Sequence, residues 1–167
     1  MGAANDLLLD GYDRIGQSVP DVLDGLGTDG AAWRPDQESN SVGWLVWHLT
    51  RIIDDHLAGL TGEEQVITAE GYDERLGLDL PPGDTGYGHA AEQVAKVRFA
   101  DLEVLAAYHR AVQERAAAYL ATVTDLDRVV DDRWDPPVTL GVRLVSVVSD
   151  DLQHAGQAAY VRGLLGL

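Results

Sequence analysis

Apolar residues recur at mixed three- and four-residue spacing in four stretches of the chain, the period of helices that bury one stripe. The first, residues 4–26, carries Leu7, Leu8, Ile15, Val19, Val22, Leu23 and Leu26 on this pattern. Gly11 and Gly16 weaken it, and Pro20 predicts a bend or interruption because its ring removes an amide donor. Gly27-Thr28-Asp29-Gly30 ends the helix, and Trp33-Arg34-Pro35-Asp36 continues as an irregular connection. A second helix begins at Asn40-Ser41-Val42, where Asn40 or Ser41 can accept a bond from an unpaired first-turn amide. It runs to about Leu60 and stops at Thr61-Gly62, with Val42, Leu45, Leu49, Ile52, Ile53 and Leu57 as its apolar surface. His48 flanks that surface and should face the interior or its rim.

From 62 to about 90 the periodicity fails, and glycine and proline punctuate AEGYDERLGLDLPPGDTGYGHAAEQV. Such a segment wraps a surface or shapes a site, here as a crossover between helices that do not form a simple hairpin. The third helix occupies roughly Ala91 to Val123, with a break expected near Arg98, and presents Val104, Leu105, Tyr108, Val112, Ala116, Tyr119, Leu120 and Val123 on one side. Asp125 to Thr139 is too rich in proline and charge for a helix, although Val129-Val130 and Trp134 fit a short extended stretch. Thr139 caps a fourth helix that reaches about Leu165, with Leu140, Leu144, Val147, Val148, Ala155, Ala158, Val161 and Leu165 inward. The pattern predicts an all-α fold, a four-helix bundle with a long crossover between helices 2 and 3. No internal repeat is present, and residues 1–167 read as a single domain.

Composition narrows the function. With 28 acidic against 12 basic residues the formal charge is -16, which opposes phosphate backbones and anionic lipid surfaces, so neither nucleic acid nor membrane is expected as a partner. No apolar run reaches the length of a membrane span, and the N-terminus lacks the features of a signal peptide, so the expected location is the cytoplasm. The chain has no cysteine, which excludes disulfides, a thiolate nucleophile and cysteine-based metal sites. Any thiol chemistry must therefore use a small-molecule thiol. A phosphate-cradling glycine loop, a nucleophile elbow and His-Glu-x-x-His are all missing.

The densest chemistry lies in Ser149-Asp150-Asp151-Leu152-Gln153-His154-Ala155-Gly156-Gln157. Asp150 and His154 are four apart and project from neighbouring turns of one helix face, close enough to share a cation. If packing brings the second helix alongside, His48, Asp150 and His154 form a trio of nitrogen and oxygen ligands with an open position. Asp151 straddles the same line as Asp150, so either carboxylate could serve. The competing reading is a salt bridge to Arg143 or Arg162, since a buried carboxylate needs protonation, a cation or a metal. His48 alone fits a hydrogen-bonded core residue equally well. His56 is placed on the surface, and His109 on a polar face or against the neighbours of Tyr108. His89 either reaches a site from the crossover or caps the following helix, and none of these three is assigned as a ligand. Trp44 and Trp47 fill the core and cover the bundle end, or wall a pocket. Gly156 and Gln157 point to close helix approach and a polar contact.

Three motifs together carry a resemblance: Asn40-Ser41-Val42-Gly43-Trp44-Leu45-Val46-Trp47-His48-Leu49, Pro82-Gly83-Asp84-Thr85-Gly86-Tyr87-Gly88-His89, and Asp150-Asp151-Leu152-Gln153-His154-Ala155-Gly156-Gln157. Over nearly its whole length the sequence resembles the DinB-like superfamily of four-helix bundles, and more narrowly its actinobacterial mycothiol-associated branch. It is also similar to the N-terminal domain of mycothiol-dependent maleylpyruvate isomerase. The resemblance implies a divalent metal, zinc first and nickel second, held by His48, Asp150 and His154. Asp150 stands where many members have histidine, and the isomerases look similar in using a carboxylate there. It further implies an enzyme that joins a low-molecular-weight thiol such as mycothiol to an electrophile, as an S-transferase or an isomerase; since bundles of this kind often pair through exposed helix faces, a homodimer is a candidate assembly that the sequence alone does not decide. The alternative is a non-catalytic bundle whose metal or small-ligand site is structural or degenerate.

Overall fold

The computed structural model describes residues 2–167. Four long helices, α1 (Ala3–Leu23), α3 (Val42–Thr61), α7 (Leu102–Thr122) and α8 (Leu140–Leu164), enclose one hydrophobic core. Between them lie the short helices α2 (Thr28–Ala32), α4 (Val66–Ala69), α5 (Tyr72–Leu76) and α6 (Ala91–Val94), and the two-stranded antiparallel β1 (Val129–Asp131) and β2 (Val138–Thr139). The architecture is the expected all-α, DinB-like bundle.

Contacts between particular residues fix the helix directions. Asn5 Nδ2 donates to the carbonyls of Leu120 and Val123, while Gly16 faces Gln113, so α1 and α7 are antiparallel. Thr50 meets His109, and Arg115 donates to the carbonyl of Glu64, so α3 and α7 run parallel. His48 lies beside His154 and His56 beside Arg143, so α3 and α8 are antiparallel. A parallel pair of neighbours cannot be joined by a tight turn, because the chain must return along the whole helix length. Residues 62–101 make that return, as the crossover reading expects.

Local chemistry explains the boundaries. Ser41 accepts from the amide of Trp44, Asp101 from Glu103 and Thr139 from Val142, each satisfying a first-turn donor of a long helix. Gly62, at φ 76°, closes α3 in the left-handed conformation that suits glycine. Pro20 lies inside α1 without ending it, since Val19 and Val22 continue the stripe of Leu8, Tyr12 and Ile15 into the core. Two expectations are corrected, and the break in the third helix is found where it was expected. Residues 28–32 form α2 and pack on α3 instead of remaining irregular. The segment read as helical from Ala91 to Val123 with a break near Arg98 is interrupted there, into α6, which stops at Val94, and α7, which starts afresh after the Asp101 cap. The crossover holds two further helical turns, α4 and α5, which cover α7. With α2 and the crossover on its outer side, α3 is buried at every position from Val42 to Arg51.

A polar cluster anchors the crossover. Asp54, wholly buried, accepts from the amides of Val66 (2.7 Å) and Ile67 (2.9 Å) at the start of α4 and from the Tyr108 hydroxyl (2.8 Å). Arg51 lies 3.4 Å from the same carboxylate, and donates to Tyr108 Oη (3.2 Å) and to Gln65 Oε1 (2.8 Å). Buried charges persist when every partner is supplied in this way.

Candidate metal centre

His48, in the second turn of α3, and Asp150 and His154, on adjacent turns of α8, meet at the seam between these helices. One ligand atom from each lies within 4.8 Å of the others. The imidazole rings of His48 and His154 are 4.8 Å apart between centroids and inclined at 74°. His154 Nε2 is 3.6 Å from Asp150 Oδ2. The expected juxtaposition is therefore present in space.

Hydrogen bonds to the other ring nitrogens decide which lone pairs face that centre. His48 Nδ1 lies 2.5 Å from the carbonyl of Thr85. A carbonyl only accepts, so Nδ1 carries the proton and Nε2 keeps its lone pair. His154 Nδ1 lies 3.1 Å from Gln157 Oε1, which imposes the same tautomer. Two lone pairs and a carboxylate thus converge with no hydrogen-bond donor among them, an arrangement that a cation resolves. An ion bonded at ~2.1 Å reaches donors up to ~4.2 Å apart, so small side-chain shifts close the trio around it. Fixing each ligating ring through its second nitrogen is the usual support for a metal-bound histidine. The donor set therefore fits a divalent metal.

The crossover holds His48 in place. Trp44 stacks on the His48 ring at 4.7 Å between centroids and 17° between planes. The Trp44 indole N–H donates to His89 Nδ1 (3.1 Å), whose Nε2–H points at both Asp84 carboxylate oxygens at 3.0 Å. Asp84 also accepts from the Gly86 amide (2.7 Å), and its backbone carbonyl takes the Arg51 Nε proton (3.1 Å). Burial disfavours the Asp84 anion, but the Gly86 amide and His89 outweigh it and hold its carboxyl below the ordinary value. Gly86 has φ +86°, and a Cβ there would come within 2.9 Å of His48 Nδ1 and of the Trp47 ring. Only glycine lets the Thr85 carbonyl approach so closely. Burial is also the main reason that the His48 ring resists protonation, its pKa lying below the ordinary value.

The two aspartates differ in orientation. Asp150 is half-exposed at the centre, whereas Asp151 is wholly buried and turned toward α1, where its charge is felt by Tyr12. Neither Asp151 oxygen has a hydrogen-bond partner among the described residues. Burial, reinforced by the neighbouring Asp150 charge, pushes its pKa well up.

The salt-bridge alternative fails because both arginines are engaged elsewhere. Arg143 donates to Asp131 Oδ2 (3.2 Å), and Arg162 to the backbone carbonyl of Asp21. His56 is not a surface residue but half-buried, 3.3 Å from Arg143 Nη1. His109 is buried against Thr50 (2.9 Å), and its pKa is lowered to about 4 by desolvation. Gly156 is not a point of close helix approach, since a Cβ there would meet nothing within 4 Å. His89 does reach the site, one of the two readings given to it, whereas the supporting roles of Asp84, Thr85 and Gly86 escaped the sequence reading, although the dense Gly-Asp-Thr-Gly-Tyr-Gly-His run marked the segment as built for a special backbone.

No helix among the described residues is long and apolar enough to cross a membrane. A search of curated proteins found no match. A crystal structure of a conserved protein from Enterococcus faecalis is similar at 32% identity and a TM-score of 0.93, covering 100% of this chain and 99% of that one. The Mycothiol-S-transferase family profile matches residues 12–166. With its fold, its converging donors and this match in agreement, the chain belongs to the mycothiol S-transferase family, within the DinB-like, mycothiol-associated proteins.

Proposed function

We propose that this chain is a divalent-metal-dependent S-transferase, a single domain over 1–167 in which His48, Asp150 and His154 hold the metal and mycothiol is the thiol substrate. The observation that carries this reading is the pair of imidazoles whose Nδ1 protons are taken by Thr85 and Gln157, leaving both Nε2 atoms and the Asp150 carboxylate on one centre. Imidazole and carboxylate donors suit zinc, the first candidate, and accommodate nickel, the second. When bound, the ion supplies Lewis acidity that lowers a thiol's pKa and makes thiolate available near neutral pH. The protein contributes position. Thr85 and Trp44 set the plane of His48, Gln157 sets that of His154, and the Trp44–His89–Asp84 chain closes the inner side against water. The outer side, at half-exposed Asp150, is where thiol and electrophile enter. In the transfer a sulfur–carbon bond forms, the bond from that carbon to its leaving group breaks, and the thiol proton passes to solvent. The cysteine-free sequence agrees with an external nucleophile.

Exposed Leu7, Val142, Val145 and Leu152 on α1 and α8, with Leu7 and Val145 lining a common apolar groove, support pairing of two copies as part of the same reading. Sedimentation at increasing concentration tests that part. For the activity, the protein stripped by chelator and the protein reloaded with zinc or nickel are each incubated with mycothiol and an aryl halide. The expected result is S-conjugate only after reloading. Equal turnover by stripped and reloaded protein would overturn the metal-dependent reading.

A further inference from the structure

A cavity of about 790 Å³ lies along the seam between α1 and α7. Because α1 and α3 each pack on both α7 and α8, this seam is across the bundle from the α3–α8 seam that carries the metal donors. No residue of that centre lines it. Its volume is that of a small-molecule pocket.

Two polar groups on its α7 wall are left incomplete by the fold. His109 is only 3% exposed, and Gln113 follows one turn later on the same helix face. His109 Nε2 and Gln113 Nε2 are both buried, and neither has a hydrogen-bond partner among the described residues. The other ring nitrogen fixes the tautomer of His109. Thr50 Oγ1 donates its one proton to the Val46 carbonyl (2.7 Å), so His109 Nδ1 must donate to Thr50 Oγ1 (2.9 Å). His109 Nε2 is then left with a lone pair, and desolvation keeps the ring neutral by lowering its pKa to about 4. A buried acceptor and a buried donor that do not bond each other are costly unless a third group comes between them. A hydroxyl is such a group, since its proton goes to His109 Nε2 while its oxygen accepts from Gln113 Nε2.

The rest of the lining sets what carries the hydroxyl. Val19, Leu23 and Leu26 face the cavity from the α1 side and Leu102 and Ala106 from α7, which gives it an apolar wall. Asp13, Asp24, Asp101, Glu103 and Glu114 stand exposed around it, with Arg110 as the one cation of the lining. That edge attracts positive charge, which would be costly to carry further inward. We propose that this cavity is a second ligand site, for an amine whose apolar body ends in a hydroxyl: the hydroxyl sits between His109 and Gln113, and the ammonium stays among the acidic residues. Phenolic amines are the rigid members of that class. The site shares no residue with the metal centre and stands whether or not the chain is a transferase.

Tyramine serves as the probe, with phenethylamine lacking its hydroxyl and p-cresol lacking its amine. Calorimetry on the whole chain should show tyramine binding about tenfold tighter than either, and its margin over p-cresol should shrink in high salt. Gln113→Leu removes the buried amide and keeps an apolar stem. It should bring tyramine down to the affinity of phenethylamine while raising the Tm of the free protein by about 2–4 °C, because an unpartnered group is lost. Ala106→Leu fills part of the cavity and should weaken tyramine about tenfold. Equal affinity of wild type for tyramine and phenethylamine, or undiminished tyramine binding by both variants, overturns the proposal. A wild type that binds no probe, with a Gln113→Leu protein of lowered Tm, identifies a buried water between the two groups and overturns it as well.

Discussion

Two polar clusters sit on α3 within two turns of each other, and they are built on opposite rules. Around Asp54 every strong group has a partner: two backbone amides, a tyrosine hydroxyl and Arg51 share one carboxylate. Around His48 the second ring nitrogens are satisfied, yet the inward atoms are all acceptors facing one another. The first cluster is complete as folded and holds the crossover down. The second is incomplete by the same count of donors and acceptors, and that deficit distinguishes a site from a strut.

The comparison breaks most visibly at Asp54. Asp54→Ala strips Arg51 of its buried counter-charge and should cost about 3–5 kcal/mol in urea denaturation. Asp150→Ala, at a half-exposed position, should cost far less by the same measurement. A buried group next to that cluster's helix gives the next largest effect. His109 is neutral in the fold, with its pKa lowered to about 4 by burial against 6.5 for an ordinary histidine. The unfolded chain therefore takes up a proton first as pH falls, so the stability present above about 6.5 is lost progressively toward pH 4, by up to ~3 kcal/mol. His109→Gln should flatten that part of the stability profile, and an unchanged slope would remove His109 as its source.

Substitutions at the open cluster should act on metal more than on folding. His48→Ala is expected to lower metal affinity roughly a hundredfold or more, measured by competition with a chelating dye. Gln157→Leu leaves all three donors but frees the His154 ring, and a loss of about tenfold is expected. If Gln157→Leu bound metal as tightly as wild type, the orienting role of that amide would be refuted.

Much of this contrast was legible in the sequence. Helical periodicity placed the four long helices, and the caps at Ser41 and Thr139 lay where their side chains predicted them. The i, i+4 spacing of Asp150 and His154 singled out the face that meets His48. Spacing could not choose between Asp150 and Asp151, because they differ by one 100° step around the helix and only the position of α1 shows which of them is inward. The competing reading that paired Arg143 with the α8 carboxylate fails for a related reason: the partner of Arg143, Asp131, belongs to a strand whose place depends on the hairpin folding back over α8. The supports of His48 were illegible because a backbone carbonyl has no signature in side-chain chemistry. Thr85 acts through its main chain, and only the left-handed Gly86 beside it left a trace.

The parallel alignment of α3 and α7 also governs how the molecule must fold. Neither helix can find the other by closing a short loop, and the bond from Tyr108 to Asp54 ties together residues 54 positions apart. Such distant closure demands chain entropy before any contact rewards it, which slows refolding relative to bundles whose successive helices are antiparallel neighbours. Helical signal should therefore recover ahead of tryptophan burial in stopped-flow experiments, with docking of residues 62–101 as the late event.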